Sequence, residues 1–154
     1  MKKTVSLLLL TVMLLSLCAC GGKGEKKELD AAALSESLLK GDLFSVSLEE
    51  LPAGKVSAFY EIPADSVEDA VLYHAAGTSK EQIVILKAVD NRTAENAVTI
   101  LKGLVNQWIE ADKDYAPQEV PKLEKAVLRQ SGAWVLLVVA ADPDAAARLV
   151  GEYF

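Results

Sequence analysis

The chain has 154 residues, 51% of them apolar, with 16 Lys or Arg, 22 Asp or Glu, one His, two Cys and a formal charge of −6. That length fills one buried core but not two full domains, and the apolar content is too high for a disordered chain. The acidity argues against a nucleic-acid partner, because phosphate binding needs clustered Lys and Arg.

These totals describe two different objects. Residues 1–19 carry two lysines, no acid and 13 of the 79 apolar residues. The remaining 135 residues carry 14 bases and 22 acids, so their charge is 14 − 22 = −8. Lys2 and Lys3 form a short positive stretch, and the 13 residues Val5–Leu17 are apolar apart from Ser6, Thr11 and Ser16. That is the length of a signal-peptide core. It covers only about two thirds of the roughly 30 Å a transmembrane helix must cross.

The run ends in Leu17-Cys18-Ala19-Cys20, followed by Gly21-Gly22. This resembles the lipobox of bacterial lipoproteins, with Leu17, Ala19 and Cys20 in the expected places and Cys18 a small residue in the second slot. The resemblance implies that the Cys20 thiol takes a diacylglyceryl group and that a lipoprotein signal peptidase cuts between Ala19 and Cys20. One acyl chain holds a protein at a membrane marginally and two hold it stably. Cys20 is then a membrane tether, and the expected location is the extracytoplasmic face of the cell membrane. With Cys18 removed and Cys20 acylated, the mature domain holds no thiol. That excludes disulfides, cysteine nucleophiles and cysteine metal sites.

Residues 20–28 form the lipidated cysteine and a linker. Gly21–Glu28 has three glycines and no apolar residue, which suits a solvated spacer. Residues 29–154 read as a single domain. Asp30 and Gly41 bracket a helix over 31–40, with Leu34, Leu38 and Leu39 as its apolar positions. Asp42–Leu51 fits a short helix and an extended piece equally. Pro52–Tyr60 reads as a short helical segment ended by Pro63.

Strand signals follow at Asp69–Ala75 and at Gln82–Val89, joined by a turn at Gly77–Lys80. A long helix comes next, capped at Thr93, with Ala97, Val98, Leu101, Leu104, Val105 and Trp108 on one stripe. Gly103 sits within it, either to admit a close strand or merely tolerated at a cost of about 1 kcal/mol. Tyr115–Glu119 breaks this helix. Leu123–Arg129 alternates loosely up to a turn at Ser131-Gly132. Trp134–Ala141 is apolar on both faces, as a central strand is, and Asp142-Pro143 opens a terminal helix. This order predicts an α+β domain: a four-stranded antiparallel sheet with helices packed on one face, as a β-β-α-β-β-α core preceded by N-terminal helices.

After the lipobox, the ordered set Leu29-Asp30, Tyr60-Glu61-Ile62, Asp65–Tyr73, Glu81–Lys87, Tyr115–Glu119, Leu123–Val127 and Gly132–Val135 carries a family resemblance. Over roughly 29–150 the domain resembles a family of small lipoproteins from Gram-positive bacteria, catalogued as a domain of unknown function. The resemblance implies a small α+β domain on the outer face of the membrane, and it brings no activity or site residue.

The domain offers little catalytic chemistry. His74 is the sole histidine and sits in a strand pattern, and no Gly-x-Ser-x-Gly elbow occurs. Asp65–Asp69 and Asp112–Asp114 lack the spacing of a calcium loop and read as solvated acidic turns. No cofactor, metal site or catalytic residue is expected. The best exposed candidates for binding are Tyr115 and Pro117, an aromatic beside a proline in a connection. The expected function is a non-catalytic protein-interaction or accessory module of the cell envelope. The alternative is a small-ligand or peptide binder, and a carboxylate-based hydrolase ranks third.

Overall fold

The computed structural model describes residues 28–154. The signal segment, the lipobox with Cys20 and the linker as far as residue 27 lie outside the described residues. The first helix, α1, is Ala31–Lys40. The Asp30 carboxylate accepts from the Ala33 N–H at 2.9 Å, satisfying one of the N–H groups the helix start leaves free. Gly41 ends the helix, and Asp42 takes the left-handed backbone with φ 53°.

Strand β1 is Leu48–Leu51, and a short turn of 3-10 helix leads into α2, Val56–Tyr60. Strands β2 (Val67–Ala75) and β3 (Gln82–Ala88) form a hairpin. Gly77, at φ 75°, makes the turn between them. The long helix α3 is Asn91–Tyr115, followed by α4 at Val120–Glu124. Strands β4 (Val127–Ser131) and β5 (Trp134–Val139) form a second hairpin, and α5 is Pro143–Val150. Helix α5 starts as expected: Asp142 accepts from Ala145 N at 2.9 Å, and Pro143 takes the first position, where no N–H is needed.

All strand pairs are antiparallel, in the order β1-β2-β3-β5-β4. The α+β class stands, but two details of the expected sheet are corrected. It has five strands, because Leu48–Leu51 pairs with Leu72–Ala75 of β2. Four residues reading Leu-Glu-Glu-Leu carry no helix or strand period of their own, so the neighbour decides. Helices also cover both faces. Val84, Leu86, Val135 and Leu137 pack against α2, α3 and α4, while Ile83, Ile85, Leu136 and Val138 pack against α1 and α5. β3 and β5 are apolar at successive positions, so both of their faces need cover.

Two smaller expectations change, at the start of α3 and at Leu123, and the alternative left open at Gly103 is decided. Helix α3 is capped by Asp90, which accepts from Thr93 N at 2.7 Å, and not by Thr93. A Cβ at Gly103 would meet nothing within 4 Å, so no strand approaches there. Leu123 belongs to α4, and the strand begins only at Val127.

The register gives the domain two ends. Gln82 lies opposite Val139 and Lys87 opposite Trp134, about 17 Å apart at roughly 3.3 Å per residue. One end holds the β2–β3 turn, the α3–α4 junction and the 42–47 loop. The other holds Glu28, bonded to Lys87 at 2.9 Å, and the β4–β5 turn.

Candidate functional site

Buried charges gather at the first end. Glu81 immediately precedes β3 with none of its surface exposed, and Glu119 and Asp112 are also buried. The Glu81 carboxylate accepts from Ser45 N at 2.8 Å, from the Ser45 hydroxyl, and from Lys122 Nζ at 2.7 Å. Lys122 Nζ also donates to Glu119 Oε1 at 3.0 Å. Glu119 Oε2 accepts from Lys80 N at 2.9 Å and from the Ser79 hydroxyl at 3.4 Å. Asp112 Oδ2 has no hydrogen-bond partner among the described residues, and its charge is met by Lys80 Nζ at 3.6 Å. Tyr60 completes this end, donating to Gln82 Oε1 at 2.9 Å.

The protonation states follow from these contacts. Burial pushes the Glu81 carboxyl up, but the hydrogen bonds from Lys122 and Ser45 outweigh it and hold the group below the usual carboxylate range. Burial likewise opposes charge on Lys122, and Glu81 and Glu119 together raise it above the usual lysine value. Burial drives the Tyr60 hydroxyl well above its ordinary range, so it remains a donor.

This cluster is a clamp. Lys122 of α4 joins the start of β3 to the start of α4, Lys80 reaches the last turn of α3, and Ser45 ties in the loop before β1. Glu81 and Glu119 are closed off from solvent and occupied by donors, so neither presents its oxygens to a substrate.

Above the clamp sits the segment expected to bind. Tyr115 is 78% exposed at the last residue of α3, and Pro117 is exposed two residues on. The loop is held on either side by the buried Asp112 and Glu119. Its backbone is closed by Ala116 N to Asp112 O at 2.9 Å and Glu119 N to Ala116 O at 2.8 Å. Tyr115 does not fold over the helix end as a plug. Phe59 and Val46, each 42% exposed, belong to the same end of the sheet. The Phe59 ring meets the His74 ring edge-on at 5.8 Å.

His74 is a hydrogen-bonded strand residue, its Nδ1 lying 2.6 Å from Ala75 O. Among the described residues no group of three His, Cys, Asp or Glu has the geometry of a metal site. Cys20 lies outside them.

The clamp as a whole is not marked in the sequence, where Asp112 reads as part of a solvated acidic turn and Glu119 only as the end of a helix-breaking segment. A signal was present for Asp112. It continues the α3 stripe four residues beyond Trp108, so it occupies a core position and requires a cation there. Nothing local marks Lys80, Lys122 or Ser45.

A second feature lies on the flank. A groove of about 420 Å³ runs between α3, α4 and the edge strand β4. Val98, Val105, Ile109 and Leu128 form its floor, and Lys102 and Arg129 stand at its rim. Tyr115 and Pro117 do not line it.

No curated protein and no solved structure matches the chain. The family model described as "Domain of unknown function (DUF4358)" matches residues 44–140. That span holds all five strands, α2 to α4 and every residue of the clamp, and leaves out α1 and α5. It covers well over half of the chain, which therefore belongs to the DUF4358 family.

Proposed function

We propose that this protein is a lipoprotein tethered through Cys20 to the extracytoplasmic face of the cell membrane, where it serves as a non-catalytic interaction module for an envelope protein. The basic start, short apolar run and Leu17-Cys18-Ala19-Cys20 support the tether. The observation that carries the interaction role is Tyr115, a large aromatic 78% exposed on a loop pinned by buried ion pairs. A rigid, exposed aromatic loses little entropy on binding and is a frequent source of interface energy. The tether enters by Glu28, at the opposite end of the sheet from Tyr115, which leaves Tyr115 free to face partners.

The test is photocrosslinking in cells from a probe placed at position 115, with the same probe at exposed Asp69 as reference. A discrete envelope-protein adduct from position 115 alone is expected. Equal or absent adducts at the two positions would refute the interaction role. The tether is read separately. An inhibitor of lipoprotein signal peptidase, or Cys20→Ala, is expected to leave an unprocessed precursor.

The 420 Å³ groove favours a second reading, a small-ligand or peptide binder. A metabolite or peptide that raises Tm by several degrees, with the gain abolished by Leu128→Glu, would place binding in the groove instead.

A further inference from the structure

The end of the domain opposite Tyr115 is built differently. A cleft of about 370 Å³ there is lined by Leu29, Trp134, Tyr153 and Phe154, together with the uncharged turn Ser131-Gly132-Ala133 and Glu28. Tyr153 is 37% exposed, and Leu29, Trp134 and Phe154 are half-buried, so each shows part of an apolar surface to the outside. Val89, 46% exposed, follows the end of β3 at the same end. The Lys87 ammonium lies 5.8 Å from the Trp134 ring centre and pairs with Glu28 and Glu68, so the nearest cation is already neutralised.

Chain length says what faces this end. Seven residues, 21–27, separate Cys20 from Glu28. Fully extended, the nine steps from Cys20 to Leu29 span at most about 32 Å, and a Gly-rich chain of that length averages about 17 Å end to end. Leu29 therefore stays within roughly 32 Å of any bilayer that holds Cys20. Trp and Tyr with one apolar and one polar side prefer the boundary between headgroups and acyl chains.

We propose that this end of the domain seats on the phospholipid surface, with Leu29, Trp134, Tyr153 and Phe154 at the headgroup–acyl boundary and the Ser131–Ala133 turn lowered between headgroups. The proposal rests on the tether at Cys20. Glu28, Asp30 and Glu152 border the cleft region, so this end presents no excess of positive charge to anionic lipid. Seating then requires the aromatic groups and not a strongly anionic membrane. It also turns the sheet axis toward the membrane normal and lifts Tyr115 to the far side.

The test uses the mature chain, Cys20–Phe154, carrying Trp108→Phe so that Trp134 is the sole tryptophan. Cys20 is coupled to a maleimide phospholipid in phosphatidylcholine vesicles, with and without acyl-chain bromination. Bromine near the boundary is expected to quench Trp134 emission by at least a third. The same coupling with Trp134→Phe is expected to leave Trp108 emission within a tenth of its unbrominated value. Leu29→Glu combined with Tyr153→Glu, with a circular dichroism spectrum matching the parent, is expected to remove at least half of the Trp134 quenching. Equal emission of Trp134 in the two vesicles, equal quenching of both tryptophans, or vesicle-bound dimers that bury Trp134 away from bromine would each overturn the seating and leave the tether standing. Intact-mass measurement of the protein from cells reads the tether by itself: a Cys20 without lipid overturns the tether, and with it the seating.

Discussion

Glu81 shows how one residue organises an end of the sheet. It immediately precedes a strand whose first five residues are buried, and it is itself fully buried. A carboxylate in that position is tolerated only with donors on it, and it has Ser45 and Lys122. Removing one member of a buried pair strands the other. Glu81→Ala is expected to cost about 3 kcal/mol or more, measured by urea unfolding, and Lys122→Ala a similar amount. The pH dependence follows from the two directions. The Glu81 pKa is lowered on folding, so its contribution is complete above the ordinary carboxylate value of about 4.3 and is lost as pH falls through the folded value. The Lys122 pKa is raised, so its contribution is complete below about 10.4 and is lost as pH rises through the folded value. The urea midpoint should therefore be flat across neutral pH and fall on the acid side, with Glu81→Gln blunting that fall.

Secondary-structure elements follow local rules where they are exposed, and neighbours where they are not. The cap of α3 is Asp90, whose carboxylate accepts from Thr93 N. Asp90→Ala is expected to lower Tm clearly more than Thr93→Ala does. Gly103 lies inside that 25-residue helix with open space around it. Gly103→Ala is expected to stabilise by up to about 1 kcal/mol, seen as a Tm rise of a few degrees. The edge strands carry their own protection against pairing. β1 is only four residues long, with Glu49 and Glu50 at its centre. On β4 the Arg129 guanidinium donates to Leu128 O at 3.0 Å and occupies an edge acceptor.

At the scale of the molecule, the domain is a sheet with cover on both faces and a different chemistry at each end. The two covers are not equal. Helix α3 supplies most of one face, while α1 and α5, both outside the segment shared with the family model, supply the other. A fragment limited to residues 44–140 would expose Ile83, Ile85, Leu136 and Val138. Such a fragment is expected to bind a hydrophobic dye and to lose the cooperative thermal transition of residues 28–154. Full dye exclusion with a sharp transition would show that one face is enough.

Several features were legible in the chain alone because their causes lie within a few residues. Asp30, Gly41, Asp142 and Pro143 bound their helices by backbone hydrogen bonding and fixed φ. The stripe of α3 and the twofold apolar run of β5 expose their period directly, and Tyr115 and Pro117 are legible as exposed because their connection follows a helix end. The fifth strand, the two-sided cover and the charge clamp were not legible, for a common reason. β1 is extended because β2 lies beside it, and α1 packs on the second face because Ile83, Ile85, Leu136 and Val138 need it. Asp112, Glu119, Lys80, Lys122 and Ser45 meet across as many as 77 positions of sequence. Local chemistry determines where an element starts and which side is apolar. Only the folded chain decides which distant charges must neutralise one another, because burial removes the water that would otherwise solvate each of them separately.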